Sequence, residues 1–172
     1  MAKILNLTIR DYCFESRRKD QTCGILEELV RNSETGLEME CGEIIEADRE
    51  AVKKRILEAI ATGQYHAVIT TGAIGISPDD FMPELLVEMC DKHLFALGRM
   101  MWEAVSKLSP VAALTRPRAG IRDSTLMLAL PGSPKTARIT LESVLGLMPV
   151  AMRWASERDH NCGQQTDWID WS

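Results

Sequence analysis

Apolar positions along this chain follow two rhythms that take turns. Apolar-rich stretches at Lys3–Ile9, Leu37–Ile45, His66–Thr71 and Ser124–Leu130 are short and bounded by polar residues, glycine or proline. Strands buried on both faces read this way. Between them, apolar residues recur every three or four positions, the spacing of one helix face. Ile25, Leu26, Leu29 and Val30 form such a face, with Asp20 or Thr22 able to cap it and Gly36 to end it. Val52, Ile56, Ala59 and Ile60 form the next, opened by Asp48 as N-cap and closed by Gly63. Pro83 stands at a first helical position, followed by Leu86, Met89 and Cys90. Another helical stretch runs from about Leu94 to Leu108 and carries Met100, Met101 and Val105. Val111–Leu114 reads as a further short strand. Ser133 and Pro134 cap and open a helix to about Leu147, and Pro149 opens a last one to about Ser156.

Strands that alternate with helices predict an α/β fold of three layers, a mostly parallel sheet with helices on both faces. Ligands of such sheets bind beyond the carboxyl ends of the strands. Chemistry is therefore expected in the loops after the first strand, after Thr71 and after Leu130. The chain divides into a body over residues 1–156 and a polar tail over 157–172, in which only Trp168, Ile169 and Trp171 are apolar.

Composition narrows this picture. The chain has 172 residues, 45% hydrophobic and 26% charged, which fits one globular domain with its own core. No apolar run approaches the roughly 20 residues a bilayer requires, and the first apolar stretch is too short for a signal peptide. A net charge of -5 gives no basic face for nucleic acid. The expectation is thus a small-molecule protein with no nucleic-acid or membrane partner. The five cysteines include no Cys-x-x-Cys pair, and the three histidines are scattered. That count predicts a reducing cytoplasm rather than a metal knuckle. Cys23 reads either as a thiol activated at a helix start or as a small buried hydrophobe.

Two loops carry candidate chemistry. In the first, Thr70, Thr71, Gly72, Ala73, Ile74 and Gly75 lead out of a buried strand toward Asp79 and Asp80. Glycines there let backbone N–H groups approach an anion, and an aspartate beside such a turn can hold Mg²⁺. The same residues also make an ordinary turn, with Asp80 as a helix cap. In the second loop, Pro131, Gly132, Ser133 and Lys135 open a helix, which makes an anion site from free N–H groups and the helix dipole; a well-capped turn explains it equally. Capping alone explains Asp48. Arg116, Arg118 and Arg122 either face an anion or are solvated loop charges. Met100, Met101 and Trp102 read as packing or a subunit interface.

Taken together, these segments resemble the MogA and MoaB family of molybdenum cofactor biosynthesis, whose fold recurs in gephyrin. Ala67–Gly75 looks like the family's Thr-Thr-Gly-Gly-Thr-Gly loop, Asp80–Glu84 is similar to its Asp-x-Thr-Pro-Glu, and Leu130–Lys135 matches its second loop almost residue for residue. Asp20–Gly24 resembles its Asp-x-Ser-Gly stretch, and Asp48–Ala51 its Pro-Asp-Asp segment, with Ala47 in place of proline. The resemblance implies the molybdopterin-binding fold, a homotrimer, and Mg²⁺-dependent transfer of AMP from ATP to molybdopterin. By the same resemblance, Asp48 and Asp80 are the catalytic and metal-binding carboxylates. The two loops are the substrate-binding residues, and other molybdenum cofactor enzymes are partners. Ala73 replaces a loop glycine, Ile74 and Met82 replace threonines, and Arg10 stands where many members have serine. These departures leave open an alternative: an inactive or repurposed member that binds another anionic ligand or serves as a trimeric scaffold.

Overall fold

The computed structural model describes residues 2–10 and 21–156. In chain order these form β1 (Ala2–Arg10), α1 (Gln21–Arg31), β2 (Leu37–Glu46), α2 (Arg49–Ala61), β3 (Ala67–Thr71), α3 (Met82–Met89), β4 (Lys92–His93), α4 (Phe95–Ser106), β5 (Arg118–Arg122), β6 (Thr125–Leu130), α5 (Pro134–Leu145) and α6 (Met148–Ser156). The six strands form one sheet in the order β2-β1-β3-β6-β5-β4. β2, β1, β3 and β6 run parallel, while β5 is antiparallel to β6 and β4 to β5. This is the expected mostly parallel sheet, with an antiparallel margin on one side.

Side-chain alternation along the strands divides the core in two. Ile4, Ile69, Leu126, Leu128 and Leu130 face Cys23, Leu26 and Val30 of α1, Met101 of α4, Leu141 and Val144 of α5, and Met148 and Met152 of α6. Leu5, Leu7, Ile9, Val68, Met127 and Ala129 face Val52, Ile56 and Ala59 of α2 and Met82, Leu85, Leu86 and Met89 of α3. Each fully buried Leu or Ile contributes about 1.5–3 kcal/mol through the apolar surface it removes from water. The helices therefore close both faces of the sheet, as the doubled apolar runs of the strands require.

Three sequence expectations are corrected. Val111–Leu114 is no strand. Ala112–Leu114 is a 3₁₀ turn in which Leu114 N–H donates to the Val111 carbonyl at 3.0 Å, and Val111 and Leu114 lie exposed. Pro110 just upstream and the Ser109 hydroxyl, which accepts from Ala112 N–H at 3.1 Å, favour a turn over an extended run. β4 and β5 were not expected, because Lys92–His93 is too short and Arg118–Arg122 too charged to stand out as an apolar run. The cysteines are not all free thiols either: Cys23 and Cys41 form a disulfide, with Cα atoms 5.8 Å apart. Cys41 follows the parity of Leu37 and Met39, which face α1, so it meets the buried face that holds Cys23. Cys90 remains a buried free thiol, and burial first, then the Asp91 charge, pushes its pKa up to about 12. The tail with Trp168 and Trp171 lies outside the described residues, as do Asp20 and the loop from 11 to 20. Among the described residues, no helix is long and apolar enough to cross a membrane.

Candidate functional site

The carboxyl ends of β1, β3 and β6 converge on one edge of the sheet, and the two glycine loops leave from it. Thr71 pairs with Thr8 on one side and with Leu130 on the other. Beyond Thr71 the chain turns at Gly72, whose φ of +103° is closed to ordinary side chains. A Cβ there would also lie 2.6 Å from the Ile9 carbonyl oxygen. Gly72 N–H donates to the Leu130 carbonyl at 3.0 Å, which joins the first loop to the start of the second. A Cβ on Gly132 would sit 3.3 Å from Gly72 Cα, so the two loops run backbone against backbone. Thr22 on α1 adds a third anchor, since its hydroxyl donates to the Gly132 carbonyl at 2.9 Å. Beneath the loops, the Thr71 and Thr8 hydroxyls are bonded at 3.2 Å.

Ala73 and Ile74 occupy the loop in an unexpected way. Ala73 adopts a left-handed φ of 55°, a conformation that costs a residue with a Cβ about 1–2 kcal/mol. Both side chains are buried in the α2–α3 core, where Met82 is buried with them. Whatever these two residues offer a ligand is therefore backbone, not side chain. Their carbonyls are already engaged: Ala73 accepts from Met82 N–H at 3.0 Å and Ile74 from Arg116 N–H at 2.9 Å.

Asp80 closes the loop. Its Oδ2 accepts from Ser77 N–H at 2.8 Å, and its own N–H donates to the Ser77 carbonyl at 3.0 Å. The carboxylate folds over Gly75, where a Cβ would meet Oδ2 at 2.6 Å. As a cap for α3 Asp80 falls one residue short: Phe81 holds the N-cap position, with no side-chain bond. Asp48 is the N-cap of α2, as expected, and its Oδ1 accepts from Ala51 N–H at 2.7 Å. It stands beyond β2, with β1 between that strand and β3, so the two strand ends are roughly 10 Å apart. The next residue, Arg49, binds Glu88 of α3 at 2.7 Å, and Lys53 binds the same carboxylate at 2.6 Å. These pairs tie the helix that starts at Asp48 to the helix that follows Asp80.

Among the described residues no three His, Cys, Asp or Glu side chains converge on one point. Mg²⁺ carried by ATP needs only one or two carboxylates, because phosphate oxygens and water complete its octahedron. Asp48 and Asp80 each keep one carboxylate oxygen clear of the bond that fixes the other. Either carboxylate thus fits Mg²⁺ shared with a nucleotide's phosphates, while strand ends roughly 10 Å apart do not make the pair one preformed site.

In the second loop, Ser133 holds the N-cap position of α5, but its hydroxyl makes no capping bond. The first N–H groups of α5 point beyond the helix start. Lys135 lies exposed on the first turn, where it lines a groove of about 610 Å³ between α1 and α5. Arg116, left open by the sequence between anion-binding and solvated, does neither. Its Nε donates to the Gly75 carbonyl at 2.7 Å, its Nη2 to the Asp80 carbonyl at 3.2 Å, and its Nη1 binds Glu84. Burial pushes the Glu84 pKa up, but the Arg116 hydrogen bond and charge outweigh it, and the carboxyl is held below its ordinary value.

Residues 6–151 match the profile of a family described as a "probable molybdopterin binding domain". The molybdopterin adenylyltransferase of Helicobacter pylori is 36% identical over 107 residues, 62% of this chain and 61% of that protein. The match thus spans under two thirds of that relative's length. The crystal structure of the MoaB molybdopterin biosynthesis enzyme from Thermus thermophilus is 32% identical and superposes with a TM-score of 0.80, covering 90% of this chain and 96% of that one. The tungsten cofactor synthesizing MoaB protein of Pyrococcus furiosus has a TM-score of 0.76 at 24% identity, with 91% and 98% covered; at that identity it speaks for the fold alone.

Proposed function

This chain belongs to the molybdopterin-binding family of molybdenum cofactor biosynthesis, and from that premise we propose that it transfers AMP from ATP to molybdopterin. The observation that carries the proposal is the joined pair of glycine loops, fused by the Gly72–Leu130 bond, with Asp80 folded directly against the first of them. A phosphate oxygen of the pterin attacks the α-phosphorus of ATP, and pyrophosphate leaves. The chain's part is positioning and charge balance, for which no nucleophilic side chain is needed. The backbone of Gly72–Gly75 and the N–H groups opening α5, with Ser133, cradle phosphate oxygens. Asp80 and Asp48 hold Mg²⁺, which when bound neutralises charge that builds on the phosphates. Lys135 adds a mobile cation at the margin of the site.

The same reading carries three further proposals. The protein acts as a homotrimer, supported by exposed apolar side chains on and beside α4: Phe95 at 76%, Val111 at 74% and Trp102 at 42% accessible. Stretches of this kind mark subunit contacts on soluble proteins. It works in the cytoplasm, where ATP is available, although the Cys23–Cys41 disulfide takes away the support the cysteines gave that reading, and hands its product to other molybdenum cofactor enzymes. A second reading is favoured by one specific observation: Ala73 is strained and Ile74 is buried where the family loop has glycine and threonine. On that reading the fold and assembly are kept, and the chain binds an anionic ligand without turnover.

Incubation with molybdopterin, Mg²⁺ and ATP separates the two. Pyrophosphate together with adenylylated pterin supports transfer. Binding of molybdopterin without pyrophosphate, or binding of neither substrate, removes transfer and leaves the second reading, with another anionic ligand or a scaffold role in the latter case.

A further inference from the structure

We propose that Arg116 is a positioning residue for Asp80, acting through the backbone of the loop that carries it; the inference rests on the adenylyl-transfer reading. The segment from Gly72 to Phe81 contains no helix or strand. Its own bonds are few: Ala73 to Met82, Ser77 to Asp80 in both directions, and a long one from Asp79 N–H to the Ser77 hydroxyl at 3.5 Å. The Gly72–Leu130 bond and the buried Ala73 and Ile74 hold its first half, but the stretch from Gly75 to Asp80 would open readily if nothing else held it. Arg116 supplies the missing fastening from outside. Its backbone N–H takes the Ile74 carbonyl at 2.9 Å. Its guanidinium bridges the entry of the loop at Gly75, the exit at Asp80 and the first turn of α3 at Glu84.

The fork geometry makes this possible. Three nitrogens of one rigid plane fix three oxygens at once, and a lysine offers only a point charge on a flexible stem. Arg116 takes the carbonyl of Asp80 and leaves its carboxylate alone. The carboxylate keeps its charge and its uncommitted oxygen, while its place over Gly75 is fixed through the chain. Nε, Nη1 and Nη2 each already have a partner, so three of the five N–H donors of Arg116 are spent on tethering the site. Glu84 balances the guanidinium charge so that it does not compete with Mg²⁺ for the Asp80 carboxylate.

The test compares the full-length wild type with Arg116→Met and Arg116→Lys. Amide hydrogen exchange across 74–82 reads the tether without any substrate. Arg116→Met should speed exchange in this segment by about tenfold or more, the loss expected for charge-assisted bonds, and leave exchange in β1 and α5 unchanged. Steady-state kinetics of pyrophosphate release read the positioning. Arg116→Met should lower kcat by about tenfold or more, change KM for ATP by less than about threefold, and raise the Mg²⁺ concentration for half-maximal rate. Arg116→Lys should restore part of both effects. Unchanged exchange in the loop overturns the tether whatever the kinetics. Faster exchange with wild-type kcat and Mg²⁺ dependence overturns the positioning role. A wild type that releases no pyrophosphate overturns the transfer reading, and with it the kinetic role, and the exchange result still decides the tether.

Discussion

Asp80 and Asp48 stand at the same end of the sheet, but the molecule holds them differently. Asp80 follows the central strand β3, in a loop sealed to β6 through Leu130, to the core through Ala73 and Ile74, and to the segment leading into β5 through Arg116. Asp48 follows the edge strand β2 and lies exposed; its carboxylate accepts one capping bond from Ala51, and its backbone bonds only its near neighbours Glu46 and Val52. The fold thus fixes one carboxylate before any ligand arrives and leaves the other free to adjust. Order established on folding need not be established again on binding. If both carboxylates serve the proposed transfer, this asymmetry gives the exacting task to Asp80 and the accommodating one to Asp48.

The largest effect should come from Asp80→Asn. The amide oxygen still accepts the Ser77 N–H, so the thermal midpoint should hold, while pyrophosphate release should fall about 10²–10³-fold, the usual loss when a fixed transition-state charge partner is removed. Asp48→Asn should cost less, about tenfold in turnover, with no loss of helix stability because asparagine caps as well as aspartate. Asp48→Ala should add about 0.5–2 kcal/mol of destabilisation in denaturant titration. Equal turnover losses at the two carboxylates would break the comparison.

Restoring the family loop should pull in two directions. Ala73→Gly relieves a left-handed alanine and should stabilise by about 1 kcal/mol. Ile74→Thr places a hydroxyl in the α2–α3 core and should cost about 1–3 kcal/mol. Denaturation midpoints of the two single variants should therefore shift in opposite senses, and a shared sign would show that the loop is not packed as described. The smallest effect concerns the clasp between α2 and α3. Hydrogen bonds from Lys53 and then Arg49 hold the Glu88 carboxyl at about 2, below its ordinary 4.5. A depressed carboxyl adds stability above its unfolded value and loses it as pH falls toward the folded one. The stability advantage of wild type over Glu88→Gln should thus be full near neutrality and shrink between pH 4.5 and about 2. A constant difference across that window would show that the clasp is not electrostatic.

Much of this architecture was legible in the sequence because burial on both faces writes itself as apolar runs. β1, β3 and β6, the two glycine loops and the Asp48 cap follow from pattern alone. The antiparallel margin does not, since Arg118 and Arg122 bracket β5 with charge and β4 has two residues. Arg116 was visible as a cation, but its task depends on partners 41 and 36 positions away, which no local pattern records. The Cys23–Cys41 pairing was hidden in the same way, because it needs the parity of β2 and the buried face of α1 together. Ile74 and Met82 looked like injuries to a binding loop. Folded, both lie in the apolar cluster that closes the loop from below.

The contact between Gly72 and Gly132 constrains how this protein can change over generations. A side chain at Gly72 would run into the Ile9 carbonyl, one at Gly132 would press on Gly72 Cα at 3.3 Å, and one bond joins the two segments. Substitutions can accumulate on either flank, as at Ala73, but not at the seam. Exchanging one loop alone with a relative would mismatch this junction. A graft intended to move specificity between family members should carry Thr70–Asp80 and Leu130–Lys135 as a single cassette, together with the arginine that fastens the first of them.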